Sequence, residues 1–215
     1  VSADPGRLRL VIASANPDKA REMLEILRGV LGERVEFVAR PEHLPAVEED
    51  GETLEENARL KAEAVRSGTG LGALADDTGF EVDALGGLPG VRAARYAGPG
   101  GVSADNIAKL LAALGDAKDR RARFRTVALA ILRAGTELVA TGTLEGTITM
   151  SPRGEGGFGY DPVFVPDSGD GRTLAEMDAG AKHEISHRGR ALRALAGRLE
   201  AYLADPAGRS ARREA

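Results

Sequence analysis

The order of strand and helix signals constrains this chain more than any single residue does. Leu8–Ser14 is an apolar run of strand length, and Asn16-Pro17 follows at once, a helix N-cap and a first helical residue. Ala20, Met23, Leu24, Leu27 and Leu31 then recur at helical spacing. Val35–Ala39 reads as a short strand. Thr53 and Glu56 form a capping box for a second helix, whose apolar face is Leu54, Ala58, Ala62 and Val65. Ala73–Ala75 reads as another short strand, ending at Asp76-Asp77, with a turn through Thr78-Gly79. Gly86–Gly90 must be a loop, and Ile107, Leu110, Leu111 and Leu114 mark a third helix capped by Ser103. Arg123–Leu132 and Glu137–Met150 read as the two long strands of a hairpin turned at Ala134-Gly135-Thr136. Ser151–Asp161 is a Gly-rich loop, Val163–Val165 a short strand, and Thr173 with Glu176 a second capping box. The final helix starts near Ser186 and packs through Leu192, Leu195, Leu199 and Leu203. Strands separated by helices favour parallel pairing and a hairpin forces antiparallel pairing, so the fold class is α/β with a mixed sheet.

A length of 215 residues suits one domain, or one domain of two lobes. The ordered core is expected over 7–204, with frayed ends at 1–6 and 205–215. Aromatics are only 4% of the chain, so the core must rest on Val, Leu, Ile and Ala. A net charge of −4 disfavours nucleic-acid binding through phosphate neutralisation, and any anionic substrate needs a local cationic pocket or a metal. Without cysteine there is no disulfide, thiolate site or Cys nucleophile. The longest apolar run, Val127–Leu132, is far too short to span a bilayer. The expectation is a soluble, cytoplasmic protein that binds neither membrane nor nucleic acid.

Five segments could carry chemistry, and each also has an ordinary structural explanation. Ser14-Ala15-Asn16-Pro17-Asp18-Lys19 lies where a strand hands over to a helix; free N–H groups, a hydroxyl and a lysine there make a phosphate site, or else a capped helix with a surface lysine. It lacks the Gly-Lys-Ser/Thr ending of a Walker A loop. Asp76-Asp77 could hold Mg²⁺ and activate water, or serve a turn. Glu48–Glu52 is a solvated loop unless a carboxylate folds back to the Asp pair. In Gly156–Pro162, Phe158 and Tyr160 offer faces for a nucleobase, or belong to the core. Lys182, His187 and Arg188 bring cations to the start of the last helix, where they oppose its dipole, so an anionic or carbonyl-rich partner would suit them.

Taken together in this order, the segments resemble the inosine triphosphate pyrophosphatase family over roughly Leu8 to Leu203. Ala75–Gly79, Leu85–Gly90 with Ala94-Arg95-Tyr96, Gly156–Pro162 and Ile185–Gly189 carry the resemblance. It implies a two-lobed fold around a long mixed β-sheet flanked by helices, the active site in the cleft between lobes, and a homodimer. It implies Mg²⁺-dependent hydrolysis of ITP, dITP and XTP to the monophosphate and pyrophosphate. Ser14–Lys19 would hold the triphosphate, Asp77 would be metal ligand and catalytic acid/base, and Thr78 would touch substrate. Glu48 best matches the family's second metal ligand, with Glu49 one residue away as the alternative; Asp76 would support the metal. Phe158, Gly159, Tyr160 and Asp161 would hold the nucleoside, and Lys182, His187 and Arg188 would read the base. Many relatives have Thr-Gly-Asn where this chain has Ser14-Ala15-Asn16; Ser14 keeps the hydroxyl and Ala15 restricts the backbone. A Maf-like pyrophosphatase of other base preference is the nearest rival, against which Ser186-His187-Arg188 argues. A catalytically silent nucleotide-binding module is the other.

Overall fold

The computed structural model describes residues 7–205. The first strand, β1 (Leu8–Ile12), ends in three consecutive buried residues and passes directly into α1 (Pro17–Leu31). Asn16 caps that helix as its spacing requires: its Oδ1 accepts the Lys19 N–H at 3.2 Å. β2 (Val35–Val38) pairs parallel with β1 on one side, and β3 (Gly72–Val82) pairs parallel with it on the other. Between them, α2 (Leu54–Thr69) begins with the expected capping box of Thr53 and Glu56 and buries Leu54, Ala58, Ala62 and Val65.

β3 corrects the sequence reading most. A three-residue strand with a turn after the acids was expected; the strand instead runs for 11 residues through Asp76, Asp77, Thr78 and Gly79. Asp and Gly are poor strand formers, so local propensity pointed the wrong way and tertiary pairing won. The two-residue β4 (Pro89–Gly90) pairs antiparallel with the end of β3. α3 (Ser103–Leu114) starts at Ser103 itself, with Val102 as N-cap; the Ser103 hydroxyl instead accepts the Gly159 N–H at 3.2 Å. β5 (Arg121–Ile131) and β6 (Glu137–Ile148) form the hairpin, shifted by up to two residues from expectation. β7 (Phe164–Pro166) pairs antiparallel with β6. Thr173 and Glu176 close a turn, not a helix: the Glu176 carboxylate accepts the Thr173 N–H at 2.7 Å, but the Thr173 hydroxyl donates to the Arg153 carbonyl. The helix that follows, α4 (Ala179–Ile185), is capped by Asp178, and α5 (His187–Ala204) by Ser186, whose hydroxyl accepts the Gly189 N–H at 2.9 Å. The strands form one mixed sheet in the order β2-β1-β3-β5-β6-β7, with β4 beside β3.

By contacts the chain divides into two compact units, residues 7–77, 127–141 and 191–205 in one and 78–126 and 142–190 in the other. The first packs Met23, Leu27 and Leu31 of α1 and Leu192, Leu195 and Leu199 of α5 on Leu10, Ile12 and Leu74. The second packs Ile107, Leu110 and Leu114 of α3 on Phe80, Phe124, Leu144, Tyr160 and Phe164. β5 changes character where it passes between units: it alternates from Arg121 to Arg125, then is buried at every residue from Thr126 to Ile131. Its outward arginines pair with Glu81, Asp83 and Glu145. Residues 1–6 and 206–215, most of the expected frayed ends, lie outside the described residues, as do the side chains of Asp18 and His183. Among the described residues no helix is long and apolar enough to cross a membrane.

Candidate active site

The segment Ser14–Lys19 leads from β1 into α1, the strand-to-helix position expected of it. The Ser14 hydroxyl accepts the Asn16 N–H at 3.3 Å, and Asn16 in turn caps α1, so the loop is fixed by its own side chains. No non-glycine residue among those described has a positive φ, so Ala15 sits there without strain. Ser14, Ala15, Asn16 and Lys19 line a hollow of about 240 Å³ together with Arg40, Val47, Glu49, Lys61 and Asp76. Three cations therefore border it: Lys19, Arg40 and Lys61. Arg40 is held by the Leu44 and Pro45 carbonyls, which accept from its guanidinium at 3.0 and 2.6 Å. A second hollow, about 290 Å³, lies beside β2 between Arg7, Arg28, Glu33, Glu36 and Phe37, where the Arg7 guanidinium pairs with Glu33.

Asp76 and Asp77 are both buried, at 5% and 7% exposure. Lys61, from α2, donates to Asp77 Oδ1 at 2.8 Å and lies 3.3 Å from Glu49. Burial pushes the Asp77 carboxyl up to about 6 against the pull of the Lys61 charge and hydrogen bond; the Glu49 charge adds to the rise. Burial works to lower the Lys61 ammonium, but the charge and hydrogen bond of Asp77, with Glu49 and Asp76, outweigh it and hold Lys61 above its ordinary value. Asn57, also buried, donates to Asp77 Oδ2 at 3.4 Å while its Oδ1 accepts the Gly51 N–H at 2.9 Å. A Cβ on Gly51 would meet that Oδ1 at 2.8 Å, so the acidic loop needs glycine to close on α2. Glu56 completes the closure by accepting the Glu52 N–H at 2.7 Å. This anchoring brings Glu49 to the Lys61–Asp77 pair. Glu48 is exposed, and its position does not border the hollow.

Asp77 and Glu49, both against Lys61, are the paired oxygen donors here, and Asp76 lines the hollow beside Glu49. Hard oxygen donors without His or Cys suit Mg²⁺, which keeps waters and takes phosphate oxygens for its other positions. Among the described residues no group of three His, Asp or Glu side chains forms a closed cage. An open, two-carboxylate site fits an ion shared with a phosphate substrate.

In the second unit, the loop before β7 is organised by Asp161. Its Oδ2 accepts the Phe158 N–H at 2.9 Å and pairs with the Lys182 ammonium. A Cβ at Gly157, where φ is +75°, would strike that same oxygen, so the loop is closed to any other residue there. Phe158 is 57% exposed, with the Lys182 ammonium 5.0 Å and the Arg188 guanidinium 5.9 Å from its ring centre. Tyr160 differs from the expectation of a base platform. Its ring stacks on Phe80 at 4.5 Å and its hydroxyl donates to the Ala93 carbonyl at 2.9 Å, so the side chain is spent in the core. Burial, with a smaller contribution from the Tyr96 charge, raises its phenol well above the ordinary value. Gly159 presents backbone only.

Thr78 and His187 are joined through Thr126, which no sequence pattern marks. Thr126, wholly buried, has its hydroxyl 2.7 Å from the Thr78 hydroxyl and 2.7 Å from His187 Nδ1. The His187 ring stacks on Phe124 with centres 4.8 Å apart, and Arg188 beside it is 3% exposed. Lys61, Asn57 and Arg40 were missed as well. A signal for the first two existed: they are four residues apart, polar, and interleaved with the buried Ala58 and Ala62 of α2.

The chain is similar to known proteins over most of its length. The Ham1 family model matches residues 10–198. A dITP/XTP pyrophosphatase of Nocardia farcinica is 48% identical over 203 residues, 92% of this chain and 97% of that protein. One from Symbiobacterium thermophilum is 47% identical over 197 residues, 91% of this chain and 96% of that protein. The structure of a HAM1 protein from Coxiella burnetii superposes with a TM-score of 0.83 at 42% identity, covering 90% of this chain and 98% of that one. The family model spans residues 10–198, and relatives nearly half identical are covered almost end to end, so the chain belongs to the Ham1 family.

Proposed function

We propose that the protein hydrolyses nonstandard purine nucleoside triphosphates, ITP, dITP and XTP, to the monophosphate and pyrophosphate, with Mg²⁺ as cofactor. The observation that carries the reading is the buried Asp77, paired with Lys61 and Glu49, beside a hollow bordered by Ser14, Lys19 and Arg40, in a chain nearly half identical to dITP/XTP pyrophosphatases. Such a hollow suits a polyanion, and the acids suit water activation.

Ser14, Asn16, Lys19 and the start of α1 hold the triphosphate, their donors matching phosphate oxygens. Asp77 takes a proton from the attacking water. Burial has already raised its carboxyl toward neutral pH, which makes it a stronger base than an exposed aspartate. The water oxygen bonds to the α-phosphorus, the bond from that phosphorus to the bridging oxygen breaks, and pyrophosphate leaves. Asp77 and Glu49 would hold Mg²⁺, which when bound supplies Lewis-acid charge neutralisation on the phosphates. Lys19 and Lys61 stabilise the charge that develops on the leaving group. At the other end, Phe158 stacks on the base, and Lys182, His187 and Arg188 face its polar edge. Donors there suit the C6 carbonyl of hypoxanthine and xanthine and are left unpaired against the C6 amino group of adenine. A buried site of that kind rejects the wrong base by on the order of 10⁴-fold. The reading includes a homodimer acting in the cytoplasm.

The deciding experiment incubates the protein with Mg²⁺ and a panel of purine triphosphates and measures pyrophosphate and orthophosphate separately. Pyrophosphate from ITP and XTP, with little from ATP or GTP, and none in EDTA, is the expected result. Orthophosphate release, or equal turnover of ATP, would exclude the reading; binding without turnover would leave the silent module. Sedimentation reports the dimer.

A further inference from the structure

The proposed reaction leaves one cation at the hollow without a task. Arg40 lines it together with Ser14, Asn16 and Lys19. Lys61 lines it too, but its ammonium is engaged by Asp77 and Glu49. Arg40 meets no carboxylate among the described residues. Its guanidinium donates instead to three carbonyls of its own loop, Pro41 at 3.4 Å, Leu44 at 3.0 Å and Pro45 at 2.6 Å. A carbonyl is neutral, so these bonds place the guanidinium without cancelling its charge. A guanidinium carries five N–H groups, so the three bonds leave at least two of them unclaimed among the described residues. The loop is fixed in its turn: Leu44 packs on Gly68 of α2, where a Cβ would meet Leu44 Cδ2 at 2.5 Å. Ala46 and Val47, which follow Pro45, also line the hollow. Arg40 is thus a charge already held in place, and a ligand that meets it loses little affinity to ordering it.

We propose that Arg40 binds the β- and γ-phosphates of the substrate and makes the site prefer a triphosphate to its monophosphate product. This rests on the reading above, in which the triphosphate occupies the hollow. There Asp77 takes the proton of the water that attacks the α-phosphorus, so the α-phosphate lies with Asp77, Lys61 and Glu49. Arg40 is tied to the loop of residues 41–45 and not to that acid cluster, and the phosphates beyond the α position fall to it. A guanidinium presents paired N–H groups to a phosphate, which an ammonium cannot, so Arg40 adds an oriented contact to the point charges of Lys19 and Lys61. Both outer phosphates leave as pyrophosphate, and IMP keeps neither. Arg40 therefore strengthens the binding of substrate and of pyrophosphate and does nothing for IMP. It takes no part in proton transfer or in the bonds made and broken at phosphorus.

The test measures the binding of inorganic pyrophosphate and, separately, of IMP to the whole protein by calorimetry with Mg²⁺ present. Arg40→Gln removes the charge and keeps an amide that donates to the loop carbonyls; Arg40→Lys keeps the charge and lacks the fork. Arg40→Gln is expected to bind pyrophosphate about 10–100-fold more weakly, the range for losing a hydrogen bond to a charged group, and to bind IMP as the native protein does. Arg40→Lys should fall between the native protein and Arg40→Gln, because the ligand responds to the charge and not to the anchoring of the loop. In turnover, Arg40→Gln should raise KM for ITP by a similar factor with kcat little changed. Arg40→Met, which keeps the apolar stem, takes its place if Arg40→Gln does not fold. Native-like pyrophosphate affinity in the neutral variant, an equal loss for IMP and pyrophosphate, or a weaker Arg40→Lys than Arg40→Gln overturns the proposal, as does a native protein that binds no pyrophosphate. Failure of the native protein to release pyrophosphate from any purine triphosphate defeats the catalytic reading separately, because both affinities are measured without turnover.

Discussion

Replacing Lys61 with methionine removes one ammonium from a buried cluster of acids and keeps the side chain's length. Lys61 Nζ lies 2.8 Å from Asp77 and 3.3 Å from Glu49. At an effective dielectric of about 20, one contact at that first distance is worth about 6 kcal/mol in Coulomb energy. Much of it is offset by the desolvation of both ions, so the expected net loss is about 3–5 kcal/mol, the usual cost of leaving one partner of a buried pair alone. For a chain of this length that lowers Tm by on the order of 10 °C. The loss must depend on pH. The Asp77 carboxyl titrates higher in the folded protein than in the unfolded chain, so the folded state holds its proton more tightly. The stability this group contributes is full below about pH 4 and falls as pH rises through about 6. Without Lys61 the folded value moves higher, and the fall continues into the alkaline range. Thermal melts in EDTA should therefore show a small difference between Lys61→Met and the native protein at pH 5 and a large one at pH 8. Mg²⁺ should raise the variant's Tm at pH 8 more than the native protein's, by supplying the missing positive charge. An equal Tm difference at both pH values would show that Lys61 is not the counter-ion of Asp77.

Glu49→Gln should lower kcat/KM for ITP by roughly 10–100-fold and raise the Mg²⁺ requirement, while Glu48→Gln stays near native; the reverse ranking would return the role to Glu48. Phe158→Ala should raise KM for ITP about tenfold with kcat little changed, since base stacking is worth about 1–3 kcal/mol; an unchanged KM would remove Phe158 from the nucleotide. Leu195→Ala, wholly buried in the α1–α5 core, should cost about 2–5 kcal/mol in urea unfolding without changing KM, and a loss under 1 kcal/mol would mean that the core there collapses onto the gap.

Helices with a cap and a strong apolar repeat were legible in the sequence. Asn16 for α1, Thr53 with Glu56 for α2 and Ser186 for α5 all do the work their residue types allow. Local signals failed where a distant partner decides. Thr173 and Glu176 satisfy the capping-box pattern, yet Arg153 takes the threonine hydroxyl. Ser103 is a good cap by type, yet the Gly159 N–H claims its oxygen. At the site, spacing alone could not separate Glu48 from Glu49, because a loop residue's direction depends on how Gly51 and Glu52 are tied to Asn57 and Glu56. Tyr160 and Phe158 looked equivalent as aromatic faces; Phe80 and the Ala93 carbonyl claim the first and leave the second exposed. Thr126 sits in the middle of an apolar strand and carries no pattern at all.

The failure at β3 is the informative one. Asp76-Asp77-Thr78-Gly79 reads as a turn because a turn would let the acids stay hydrated, at no cost in desolvation. The fold instead holds them in an 11-residue strand, buried, with Lys61 and Asn57 supplied to make Asp77 tolerable there. Local preference and tertiary structure disagree at this point, and such disagreements collect where function needs a strained or costly group. A hydrated Asp77 would keep its carboxyl near the ordinary value and be a weak base. Burial raises it to about 6, and the extended backbone that buries it also delivers Thr78, the very next residue, to the Thr126 hydroxyl. A turn would have given up the raised base, so the strand is the conformation the proposed chemistry requires.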